Sequence, residues 1–138
     1  MNDHNERDWL LRLSAEDWLA AATNELSHCK DALERRSHRT GVTHARRAAG
    51  MALNALLRVR FKAEWGRSYM DHIVALAQDE REPESVRADA QTLVDTKPMP
   101  PELVALGKPD MRSLHAAANI TTWAKTRIDS VRAAATSN

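Results

Sequence analysis

Apolar residues recur along this chain at spacings of three and four, and the pattern predicts helices almost throughout. Trp18, Ala22, Leu26, Cys29 and Leu33 form one face of a helix of about 20 residues, opened by Ser14 three places before Asp17. Ala45, Ala48, Ala49, Ala52, Leu53, Leu56 and Leu57 form a second stripe, small first and large later, so two helices approach closely at one end. The intervening "RRSHRTG" has no period and reads as a connection, with Thr40 or Thr43 capping the second helix. The two helices then form an antiparallel hairpin.

Gly66 interrupts the pattern. Ser68 and Asp71 then have capping-box spacing before a face of Met70, Ile73, Val74, Leu76 and Ala77. Pro83 suits the first turn of a fourth helix carrying Val86, Ala90, Leu93 and Val94. The segment "KPMPPELVALGKPD" is a proline-rich connection with room for one short turn. Asp110 caps a last helix bearing Leu114, Ala117, Ala118, Thr121, Ala124, Ile128 and Val131. No segment alternates long enough to be a strand. The fold class is therefore all-α, an up-and-down bundle of four to five helices. Residues 1–13 form an N-terminal extension or short helix, 14–134 one domain, and 135–138 a frayed tail.

Composition agrees with one ordinary globular domain. The 138 residues are 43% hydrophobic and 28% charged, and glycine is scarce, with four residues, as a helical chain requires. With so few aromatics, Trp18, Trp65 and Trp123 are expected in or beside the core. A formal net charge of +1 gives no global field for nucleic acid or membrane, so any such partner needs a local patch. No apolar run approaches the ~20 residues of a membrane span, and the charged N-terminus lacks a signal-peptide core. A cytoplasmic location without membrane association is the expectation.

The local patch worth weighing is Arg35, Arg36, Arg39, Arg46 and Arg47, five guanidiniums able to contact phosphate or nucleic acid. No aromatics interleave to stack bases, and Glu25, Asp31 and Glu34 partly neutralise it. These arginines read as surface residues first. The six histidines include no i, i+4 pair, and Cys29 is the only cysteine, so no metal site and no cofactor is expected. Cys29 lies on an apolar stripe as a small buried hydrophobe, with the neighbouring His28 about 100° away around the helix.

The order of these segments resembles a family. "DWLAAATNELSHCKDAL" followed by "ARRAAGMALNALL" is similar to the first two helices of HEPN domains, the higher eukaryotes and prokaryotes nucleotide-binding group. Gly50 and Met51 stand where many members carry Glu or Gln. "YMDHIVALAQ" resembles the family's histidine-bearing segment, with His72 in the histidine slot and Asp71 before it rather than after. "GKPDMRSLHAAANITTWAKTRI" resembles the closing turn and helix, with Pro109 and Asp110 matching and Gly107-Lys108 replacing Arg-Tyr.

The resemblance implies a HEPN-like bundle, often a homodimer, working beside a nucleotidyltransferase or within toxin–antitoxin and defence systems. Some members are metal-independent ribonucleases in which an arginine steadies the scissile phosphate and a histidine four to six residues later acts as acid or base. Two segments have that spacing, Arg67 with His72 and Arg39 with His44. Five residues on a regular helix are about 140° apart, not one shared face. The leading expectation is accordingly a non-catalytic or divergent binding and interaction domain. The alternatives are a ribonuclease using one of those pairs, with RNA as substrate, and a nucleotide-binding module.

Overall fold

The computed structural model describes residues 8–97, 99, 103 and 107–136. The described residues fold as an all-α bundle with no strand. Five α-helices run Ala15–Glu34 (α1), His38–Val59 (α2), Tyr69–Gln78 (α3), Glu84–Asp95 (α4) and Arg112–Thr136 (α5), with a 3₁₀ turn at Ala63–Trp65.

The helix starts follow their local chemistry. Ser14 Oγ accepts from the Asp17 backbone N–H at 3.1 Å. At α3 the box is reciprocal: Ser68 Oγ accepts from Asp71 N, and the Asp71 carboxylate accepts from Ser68 N. Pro83 is the residue before α4, where its missing N–H costs nothing. The Asp110 carboxylate accepts from the Arg112 backbone N–H at 3.1 Å as α5 begins. α5 continues through Thr136, past the expected fray at 135. Residues 1–7, half of the proline-rich connection and 137–138 lie outside the described residues.

The α1–α2 connection is shorter than the sequence pattern suggests. α2 begins at His38, so "RRSHRTG" is a three-residue turn followed by helix, and neither Thr40 nor Thr43 caps it. Thr43 Oγ1 donates instead to the Arg39 carbonyl one turn back. Gly41 lies within the helix, where an added Cβ would fall 2.3 Å from Leu33 Cδ2. The turn itself is closed by backbone bonds: Arg36 N–H donates to Leu33 O and Ser37 N–H to Ala32 O. That is a Schellman closure, with Arg36 in the left-handed region at φ 67°.

α2 is the central helix, packed against α1, α3 and α5. Every residue from Ala48 to Leu57 is buried, so this stretch is covered on all sides rather than along one stripe. Arg58 Nε donates to Leu13 O, placing the end of α2 beside the start of α1 and making the pair antiparallel. Arg132 pairs with Glu16, so α5 also ends beside the start of α1. Trp65 and Trp18 are buried, and Trp123 is half-buried against both halves of the core. Between α3 and α4, buried Asp79 and Glu82 are met by Lys62, Arg81 and Arg127. Arg81 beside Asp79 holds that carboxyl well below the usual range.

Candidate functional site

The Arg67–His72 pair is built around an aromatic ring. His72 sits in the first turn of α3, where the Ser68 box fixes the helix start. It is fully buried, and its Nδ1 lies 2.8 Å from the Trp65 carbonyl. A carbonyl only accepts, so Nδ1 carries the proton and Nε2 keeps the lone pair. Nε2 is buried without a partner. Trp9 stacks on the imidazole with centroids 5.6 Å apart, and the Arg67 guanidinium lies 6.0 Å from the Trp9 ring. Burial pushes His72 below the ordinary imidazole range, against the opposing effects of the Trp65 carbonyl and Asp71. Such a ring is neutral and sealed from a polymeric substrate.

Arg39 and His44 both lie on α2, and the helix carries them to different sides. His44 finds another arginine. Its Nδ1 donates to Glu25 Oε2 at 2.5 Å, while Arg47 Nη2 donates to Glu25 Oε1 at 3.2 Å. One carboxylate from α1 therefore orients two cationic or protonatable groups from one turn of α2. The Glu25 side chain is only 10% exposed, against 23% for His44 and 48% for Arg47. The exposed His28, one turn after Glu25, brings its ring to 5.4 Å from that of His44. Tyr69, at the start of α3, is near enough to feel both Arg47 and Glu25, and burial raises its hydroxyl above the usual range. Gly50 makes room for it, since a Cβ there would lie 2.3 Å from Tyr69 Cβ.

The other arginines of the basic stretch separate. Arg46 is structural: its Nε donates to Leu93 O at 3.0 Å and its Nη2 to Thr96 O at 2.7 Å. These are end carbonyls of α4, so Arg46 closes that helix and is not turned to an external phosphate. Arg35 Nε donates to Asp31 O, Arg36 forms the left-handed turn, and Arg39 is exposed on the first turn of α2. The stretch is thus a capping arginine, a turn and one member of the Glu25 cluster rather than a single patch.

Glu25 carried a legible signal. It is three residues after Ala22 and four before Cys29, inside the apolar register of α1, and it is buried where Leu26 is only half-buried. A carboxylate at such a position requires a partner. His28 and Tyr69 join through tertiary packing, which one-dimensional spacing does not record. Among the described residues no three histidine, cysteine or acidic side chains converge as metal donors, and no helix is long and apolar enough to cross a membrane.

Fold and site together define an all-α bundle with a Glu–His–Arg cluster on its α1–α2 face. Comparison with protein-family models, with curated proteins and with solved structures gives no match to this chain.

Proposed function

We propose that the chain is a HEPN-like helical domain acting as a binding or interaction module rather than as a ribonuclease. The family resemblance adds a homodimer and a nucleotidyltransferase or antitoxin partner to that proposal. The observation that carries the non-catalytic reading is the environment of His72. The ring in the family's histidine slot is fully buried, stacked under Trp9, and bonded through Nδ1 to Trp65 O. A general acid or base must come within hydrogen-bond reach of the proton it moves, and this one has no open path to RNA.

A second reading has its own support. His44 is oriented by Glu25 as a general base is oriented by a carboxylate, and Arg47 lies on the same carboxylate. A metal-independent ribonuclease would then use His44 with Arg47 in place of Arg39.

Incubating the protein with labelled total RNA, with and without EDTA, separates the two. The binding-module reading expects intact RNA for the wild type, His72→Ala and His44→Ala alike. EDTA-resistant cleavage that disappears with either histidine would contradict it and name the base.

A further inference from the structure

We propose that a cleft between α4 and the starts of α2 and α5 binds a small zwitterion, an ammonium and a carboxylate on one short chain, as in a free amino acid or a dipeptide. Neither His72 nor the Glu25 cluster lines this cleft, so the inference stands apart from both readings above.

The cleft has a volume of about 610 Å³, within the range of small-molecule sites. Its most buried side chain is His38, the first residue of α2, which is 6% exposed. His38 Nδ1 accepts the Met99 backbone N–H at 3.3 Å, so the ring is neutral and its proton is on Nε2. That N–H finds no acceptor among the described residues and is a donor for a ligand in the cleft. On the α4 wall, Asp95 Oδ1 accepts from Gln91 Nε2 at 2.9 Å, which steadies the carboxylate and leaves Oδ2. At the start of α5, Arg112 places Nε and Nη2 on the two oxygens of Asp110, at 3.0 and 2.7 Å, and keeps Nη1. Asp110 is close enough to His38 for the two to interact, which ties the α5 side of the cleft to the α2 side.

The charges select the ligand. Two acids and two bases line the cleft, Asp95 and Asp110 against Lys97 and Arg112. Asp110 and Arg112 neutralise each other. Asp95 and Lys97 remain without ion-pair partners among the described residues. A simple anion meets Asp95, and a simple cation meets Lys97. A zwitterion suits both: its ammonium donates to Asp95 Oδ2, and its carboxylate accepts from His38 Nε2–H, Lys97 and Arg112 Nη1. α2 opens at His38 with no side-chain cap and no acidic residue in its first turn, so its positive end also favours the carboxylate. Met99 adds apolar surface for the ligand's own side chain.

The test is saturation-transfer NMR on the full chain, first with a mixture of the free amino acids and then with the dipeptide glycylalanine. N-acetylated and C-amidated forms of whatever binds remove one charge each. The zwitterion should bind, and each one-charge form should bind about ten-fold more weakly. Asp95→Asn, His38→Gln and Lys97→Gln should each weaken binding by a similar factor, whereas Arg132→Gln, a charge loss beside Glu16, should leave it unchanged. Thermal unfolding checks each variant, and the exposed Lys97→Gln keeps the test readable if His38→Gln loses its fold. Tighter binding of the amino acid or of the dipeptide assigns the length of the ligand. Failure of both to bind the wild type would overturn the site. So would a one-charge form binding as tightly as its parent, or Asp95→Asn and Lys97→Gln binding as tightly as Arg132→Gln.

Discussion

The carboxylate of Glu25 on α1 and the imidazole of His44 on α2 meet at 2.5 Å where the two helices pack together, and the same carboxylate holds Arg47 at 3.2 Å. Removing the acid leaves two polar groups reaching towards a buried void. Glu25→Ala should therefore destabilise the fold by about 1–3 kcal/mol. Glu25→Gln and His44→Gln share one interaction, so their effects should fail to add by about 0.5 kcal/mol or more in a double-mutant cycle by urea unfolding. Simple additivity would mean that the pair is not formed in solution.

His72 makes an opposite prediction, structural rather than functional. Truncating it opens space under Trp9 and strands the Trp65 carbonyl, so His72→Ala should cost about 2–3 kcal/mol. Burial lowers the folded-state pKa below its unfolded value, so the unfolded chain binds the proton more readily. The contribution of the neutral ring is then complete above about pH 6.5 and is lost as pH falls towards the lowered folded value. Urea midpoints measured across this range should fall more steeply with acid for the wild type than for His72→Phe. Parallel pH profiles would show that His72 does not remain neutral.

Tyr69 explains the glycine at position 50. A Cβ at position 50 would meet three Tyr69 side-chain atoms at 2.3–2.5 Å. Gly50→Ala should cost about 1–3 kcal/mol through overpacking, although alanine is the better helix former. In a Tyr69→Ala background the same substitution should become neutral or stabilising. An equal cost in both backgrounds would place the strain elsewhere.

Arg36 is a non-glycine residue in the left-handed region, at the position of a Schellman turn where glycine is favoured. Arg36→Gly should raise stability by about 0.5–1 kcal/mol, seen as a higher thermal midpoint. A fall would mean that the Arg36 side chain contributes more than its backbone conformation costs.

Much of the architecture was legible because helical periodicity and caps are local. Ser14, Ser68 and Pro83 mark helix starts, and the stripes of α1 and α4 lie mostly on buried faces, whereas α5 buries Ala116 and Ile120 and leaves Leu114, Ala118 and Val131 half-buried. The start of α2 was obscured because Ser37 makes no side-chain cap and Gly41 resembles a loop residue until Leu33 is packed against it. The central position of α2 was half-visible. Its leucines announced one buried face, but Gly50, Met51 and Asn54 are buried by neighbours distant in sequence. At the candidate site, spacing joined His44 to Arg39, whereas tertiary structure joins it to Glu25 and Arg47. Arg46 looked like its neighbour Arg47, yet points about 100° away and closes α4.

The most direct test of the account is nitrogen-15 NMR of the histidine side chains during titration with a short single-stranded RNA and with ATP. The account predicts that His44 retains a hydrogen-bonded Nδ1–H and that His72 stays in the neutral Nδ1–H form without shifting. A ligand-dependent shift at His72 would contradict it, and would return the chemistry to Arg67 and His72.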